Sequence, residues 1–159
     1  MPVKDDLREF LRERQAKSAS GNKIDWEAKK RDWIEAAQRL YDTVEGILED
    51  AQGADELVKI ERRPVQIVER YIGRYTIPEL VLQIGGEEVV FAPKAVNVIG
   101  ASGRIDLIGE RDQATIVREW DPEAQQEKWR IVEMRLPSRI VVPLTRDSLL
   151  AALRAVMSP

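Results

Sequence analysis

The sequence predicts an α+β domain, in which a long N-terminal helix packs on a curved antiparallel β-meander of about six to eight strands and a short C-terminal helix closes the chain. Three observations predict it. The stretch from about Glu79 to Trp120 alternates β-branched apolar runs with glycine-containing or polar turns. Asp25 to about Gln52 repeats apolar residues at helical spacing. The final residues, from about Arg146 to Met157, repeat that helical pattern over a shorter span.

In chain order, residues 3–17 read as a short helix. Asp5 or Asp6 can cap its start, and Leu7, Phe10 and Leu11 fall at i, i+3, i+4. An apolar stripe this small cannot hold an isolated helix in water, so the helix must dock on its own domain or on a second chain. Ala16–Lys23 is small and polar and reads as a connector. The organisation expected is therefore a helix and connector over 1–23 and a single α+β domain over 24–159.

Asp25 is the expected N-cap of the long helix and Gly53 its expected end. Trp33, Ala37, Leu40, Val44, Ile47 and Ala51 alternate spacings of four and three, and Ile34, Tyr41 and Leu48 add a row beside them. A dimerising coiled coil would show a narrower seam. Two rows favour the main core helix of the domain.

Leu57–Ile60 and Val65–Tyr71 read as strands broken near Pro64, and Tyr75–Ile84 contains Pro78, a residue suited to an edge or bulge. Gly85-Gly86 between Val81–Ile84 and Val89–Phe91 is a hairpin signal, because tight hairpin turns need positive φ. Gly100–Gly103 separates Val96–Ile99 from Arg104–Ile108, and Glu110–Gln113 separates that strand from Thr115–Trp120. Asp121–Glu127 is a polar hairpin loop. Trp129–Leu136 follows as a strand with Trp129, Ile131 and Glu133 on one face and Val132, Met134 and Leu136 on the other. Pro137 and Pro143 bracket an extended Ile140–Val142, and Thr145 caps the last helix, with Leu144 and Leu149 placed for a hydrophobic staple. A meander of this length tends to curl, so a half-open barrel filled by the long helix is the expected geometry.

Composition narrows the chemistry. The 159 residues are 43% hydrophobic and 33% charged, with a net charge of −3 and no block of as many as five like charges. This is the profile of a globular domain, and nucleic acid is not an expected partner, because no basic excess is visible. There is no Cys and no His. Thiol nucleophiles, zinc-thiolate sites, imidazole bases and histidine-ligated metals are therefore excluded for this chain. No catalytic, cofactor-binding or metal-binding residue is assigned. The first residues lack the apolar core of a signal peptide and no apolar run approaches the ~20 residues of a membrane span, so a cytoplasmic location with no membrane partner is expected.

Gly103-Arg-Ile-Asp-Leu-Ile-Gly109 resembles the metal-binding strand of PD-(D/E)xK nucleases, in which an Asp precedes a (D/E)xK on the next strand. That resemblance covers seven residues and implies a metal-binding carboxylate at Asp106 alone. It implies two carboxylates and a Lys holding Mg²⁺ and activating water. The chain departs from the pattern: Glu119 is followed two residues on by Asp121, and Glu133 by Arg135, whose guanidinium cannot act on water as a lysine does. The alternative is that Arg104, Asp106, Arg118 and Glu119 are solvent-facing strand residues in cross-strand ion pairs.

Gly100–Gly103 could form an anion-binding nest or a plain turn, and no Lys-Ser/Thr pair follows it to make a phosphate loop. Trp26 and Trp33 sit one heptad apart, while Trp120 and Trp129 flank the polar loop and are placed to face each other. Core or hairpin packing accounts for these tryptophans more simply than ligand stacking; an exposed pair would be Trp26 and Trp33. Glu61, Arg62, Arg63, Glu69, Arg70 and Arg74 read as the solvated face of an edge strand, or as a receiver for an acidic partner.

The functional expectation is a non-catalytic protein-interaction module, with a protein partner or a homo-oligomer formed through the N-terminal helix. The alternatives are a small-molecule binder or enzyme with a carboxylate-lined pocket between sheet and helix, and a degenerate nuclease-like protein.

Overall fold

A computed structural model describes residues 7–12, 25–96, 101–135 and 138–159. The expected caps at Asp5 or Asp6, the Ala16–Lys23 connector and the expected strand residues 97–99 lie outside the described residues. Residues 7–12 are helical (α1). Then come α2 (Trp26–Gln52), β1 (Val58–Glu69), β2 (Gly73–Ile84), β3 (Glu87–Ala95), β4 (Arg104–Ile108), β5 (Gln113–Asp121), β6 (Gln126–Arg135), β7 (Ser138–Pro143) and α3 (Arg146–Val156). The seven strands form one antiparallel sheet in chain order, the expected meander, with β1 and β7 at its edges.

Local chemistry starts and stops the helices as the sequence predicts. The Asp25 carboxylate accepts from the Ala28 N–H at 3.1 Å, and Gly53, at φ 64°, ends α2 by donating its N–H to the Glu49 carbonyl. Thr145 and Ser148 form a reciprocal capping box at the start of α3. Gly85 and Gly86 both take positive φ, as a tight β2–β3 hairpin requires.

The buried face of α2 consists of Trp33, Ala36, Ala37, Leu40, Tyr41, Val44 and Leu48, with Ile34 and Ile47 packed beside them. It is the core helix of the domain. Ala51, expected in the stripe, is exposed. Across the sheet, Leu80, Phe91, Leu107 and Ala114 stand opposite one another in one row, and Ile105, Ile116, Ile131 and Val142 in another. α3 adds Leu149, Ala152, Leu153 and Val156 to the same core. Each large apolar side chain buried there contributes roughly 1.5–3 kcal/mol.

The sheet must curl around α2. Asp42 and Glu45 on the helix bond Arg62 of β1, whereas Arg39, less than a turn away, bonds Glu127 of β6. Strands lie about 4.8 Å apart, so a flat sheet would separate β1 from β6 by roughly 24 Å. A helix about 10 Å across bridges both only if the sheet wraps it.

β1 is one continuous strand rather than two broken near Pro64. The proline signal marks something else. Pro64 sits directly opposite Pro78, which confines both missing N–H donors to a single rung. The buried parity changes at that rung. Val58 and Ile60 point inward before it and Val65 and Ile67 after it; on β2, Tyr75 and Ile77 are buried on one side of it and Leu80 and Leu82 on the other. β3 pairs with β2 only over Leu80–Ile84, so the rest of the β1–β2 ribbon extends past the sheet. A two-stranded ribbon twists more strongly than a broad sheet, and this one turns its other face to α2.

Candidate functional site

β5 alternates inward and outward residues, and its inward row continues from Ile116 to Arg118. Arg118 is therefore buried with its side chain only 5% exposed. Its guanidinium donates through Nε to Glu127 Oε2 at 2.8 Å and through Nη1 to Asp32 Oδ2 at 2.8 Å. Arg39 donates a second fork to Glu127, at 2.9 and 3.0 Å. Two arginines and two carboxylates thus tie α2 to β5 and β6, and every charge in the set has an opposite partner.

This network separates two grooves along the flank of α2. One, of about 480 Å³, is lined by Leu40 and Thr43 of α2, Glu127–Arg130 of β6, and Pro143 and Leu144. The other, of about 340 Å³, is lined by Lys29, Asp32, Val96, Ser102, Arg118 and Trp120. The indole of Trp120, 49% exposed, forms part of the second groove.

The electrostatics of the flank favour fixed ion pairs over proton transfer. Burial alone would raise the Glu127 carboxyl, but the hydrogen bonds and charges of Arg39 and Arg118 outweigh it and hold it below its ordinary value. Asp121 is also held low, by the Ala124 N–H and by Lys128. Burial pushes the Tyr41 hydroxyl up, and burial and Glu69 do the same to Tyr75. An acid or base working near neutrality needs a carboxyl raised or an amine lowered toward that range. The shifts of Glu127, Asp121, Tyr41 and Tyr75 run the other way.

The nuclease-like arrangement does not assemble. Asp106 is buried, but its partner is Arg104 on the same strand, at 2.8 Å. Asp106 stands opposite Thr115, and Glu119 lies four residues further along β5, about 13 Å away at strand spacing. Glu133 has the inward parity of Ile131, whereas Asp106 faces outward. Among the described residues, no group of three or more acidic side chains converges to hold a metal ion. Glu119 does form a cross-strand ion pair, with Arg130 at 2.8 Å. Arg118 and Asp106 are buried, not solvent-facing as that alternative had them.

The remaining candidates resolve individually. Gly100 lies outside the described residues; the Ser102 N–H donates to the Arg118 carbonyl, so it is spent on strand pairing. Trp120 and Trp129 do not face each other: the register sets Trp120 opposite Glu127 and Trp129 opposite Arg118. The polar loop is two residues tighter than expected on its far side, which shifts the register. Trp129 instead meets Trp33, ring centroids 6.3 Å apart. Trp33 is fully buried, and Trp26 stacks on Tyr71 at 5.4 Å, with Lys29 over the Trp26 ring and Arg70 over the Tyr71 ring. The charged stretch from Glu61 does lie along an edge strand, but Arg62 turns inward to α2 and Glu69 accepts from the Tyr75 hydroxyl and the Val96 N–H.

Asp32, Arg39 and Glu127 were not singled out in the sequence. Asp32 and Arg39 lie one heptad apart, each next to a core residue, Trp33 and Leu40. That spacing was the available signal for a charged seam beside the core face.

Leu7, Phe10 and Leu11 of α1 are 57%, 51% and 57% exposed, so the helix presents its apolar stripe outward. Among the described residues, no helix is long and apolar enough to cross a membrane. Comparison with protein-family models, with curated proteins and with solved structures finds no match to this chain.

Proposed function

We propose that the chain is a non-catalytic protein-interaction module that works through the apolar stripe of α1. The observation that carries this reading is the exposure of Leu7, Phe10 and Leu11, each more than half open to solvent at helical spacing. Amphipathic helices with apolar residues at i, i+3, i+4 dock into hydrophobic grooves of their partners. The flank of α2 supports the same reading, since its Arg118–Glu127–Arg39 network is charge-matched and the Glu127 carboxyl is held below its ordinary value by the two arginines.

A photo-activatable amino acid at position 11 tests the proposal in cells of the native host. Irradiation is expected to give a discrete adduct containing this chain and a second polypeptide. Irradiation that gives the unlinked chain alone overturns it.

A second reading, a small-molecule binder, is favoured by the half-exposed Trp120 indole beside Lys29, Asp32 and Ser102 in the 340 Å³ groove. A ligand there would quench Trp120 emission, and Trp120→Phe would abolish the quenching.

A further inference from the structure

Arg118 is a buried cation with donors to spare. A guanidinium carries five N–H groups in a planar fork. Among the described residues three of them have acceptors: Nε donates to Glu127 at 2.8 Å, Nη1 to Asp32 Oδ2 at 2.8 Å, and Nη2 to Asp32 Oδ1 at 3.4 Å. The last is longer than an ordinary N–H···O bond. The other two N–H groups have no acceptor among the described residues, on a side chain only 5% exposed. Buried donors are nearly always filled, so these mark a place that calls for an acceptor.

The guanidinium spans the two grooves. Its Nε faces Glu127, which lines the larger one, and its Nη atoms reach Asp32, which lines the Trp120 groove together with Arg118. The outer end of the fork therefore belongs to the Trp120 groove. Lys29 stands in the same lining, its ammonium 5.2 Å from the centre of the Trp26 ring, and Ser102 adds a hydroxyl. Asp32 is the only acid among the described residues of that lining. It is 55% exposed, so it can swing to water and yield its place on the fork. Trp120 supplies a half-open indole, and Val96 an apolar contact.

We infer that the Trp120 groove binds a small organic anion built on a flat ring, its oxyanion received by the Arg118 fork beside Lys29 and Ser102 and its ring stacked on Trp120. This rests on the reading of that groove as a ligand site. A carboxylate or a phosphate presents paired oxygens in the geometry a guanidinium fork accepts, and a neutral ligand does not. An exposed indole beside a carboxylate would suit a cation, but two cationic side chains stand in the same lining. A volume of about 340 Å³ is at the small end of binding pockets and suits a single ring bearing one anionic group.

The test follows the full chain by NMR at the Trp120 indole N–H, identified by its loss in Trp120→Phe. Four probes divide the ligand into its parts: benzoate, phenyl phosphate, benzamide and inorganic phosphate. Benzamide keeps the ring without the charge, and inorganic phosphate keeps the charge without the ring. Benzoate or phenyl phosphate is expected to shift the Trp120 signal saturably and to bind about tenfold or more tightly than benzamide and inorganic phosphate. The tighter of the two identifies the oxyanion the site takes. Arg118→Met, which keeps the volume, is expected to bring benzoate and phenyl phosphate down to the affinity of benzamide; the probe comparison on the native chain stands even if that variant does not fold. Benzamide that binds as tightly as both ring anions overturns the inference and leaves the ligand site standing. So does inorganic phosphate that matches phenyl phosphate, or a folded Arg118→Met chain that binds both ring anions as the native chain does. No saturable shift at Trp120 from any of the four up to about 10 mM overturns both.

Discussion

Gly103 lies flat against the indole of Trp33: a Cβ built at position 103 would stand 2.1 Å from Cζ3 of that ring. The contact joins the start of β4 to a fully buried aromatic side chain of α2. It forms because position 103, at φ 153°, carries no side chain. The seating of α2 in the sheet depends on that close approach.

Gly103→Ala is therefore expected to cost about 1–3 kcal/mol, as overpacking of a filled core does. A urea titration followed by tryptophan fluorescence would show the lower midpoint. Gly109→Ala should behave similarly, since its Cβ would meet the Val156 carbonyl oxygen at 2.2 Å. Gly46→Ala serves as the control, because nothing lies within 4 Å of a Cβ there.

Removing Arg118 leaves Glu127 with Arg39 alone and Asp32 with no guanidinium. Asp32 is 55% exposed and can resolvate, so the loss falls mainly on Glu127 and on the buried stem of Arg118. Arg118→Ala is expected to destabilise by about 1–3 kcal/mol. Arg118→Met, which refills the volume, should cost less. Equal costs for the two would place the effect in the charge rather than the packing.

The acid limb of stability should carry the signature of Glu127. Its folded-state pKa lies below the ordinary 4.5, so the unfolded chain binds that proton more readily than the folded one. Its contribution is complete above about pH 4.5 and is lost as the pH falls through the lowered folded value. Unfolding midpoints measured from pH 6 down to pH 2 should fall, and the fall should be shallower in Glu127→Gln.

The Tyr41 hydroxyl donates to the Pro78 carbonyl at 2.7 Å, beside the rung where the β1–β2 ribbon changes faces. Tyr41→Phe keeps the ring and leaves that partly buried carbonyl without this donor. A loss of about 1–2 kcal/mol is expected by thermal or urea unfolding. Hydrogen exchange would place its effect: amides of Val65–Ile77 should lose more protection than those of β4–β6.

Local signals carried most of the fold in the sequence. Asp25, Thr145 and the Gly85–Gly86 pair each act within a few residues, and each sits where its chemistry predicts. The α2 stripe was legible because its period reports one buried face. The Pro64 signal was legible but ambiguous: a proline marks a departure from regular pairing, and only the partner strand shows that Pro78 shares the rung. The α2 flank was not legible. Arg118 and Asp32 are 86 residues apart, and their meeting depends on the curl of the sheet around α2, which no local pattern encodes. An arginine on a strand next to a polar loop reads as solvent-facing until that curl is known. The Trp120–Trp129 pairing failed for a smaller reason, a register set by the true length of the hairpin loop.

The central claim is that α1 is an assembly element rather than part of the core, and light scattering on the full chain and on a chain lacking residues 1–22 tests it most directly. The account predicts a mass above one copy for the full chain, rising with concentration, and a folded single copy for the truncated one. A truncated chain that fails to fold would contradict it, because α1 would then belong to the core; equal single-copy masses would contradict self-association through α1.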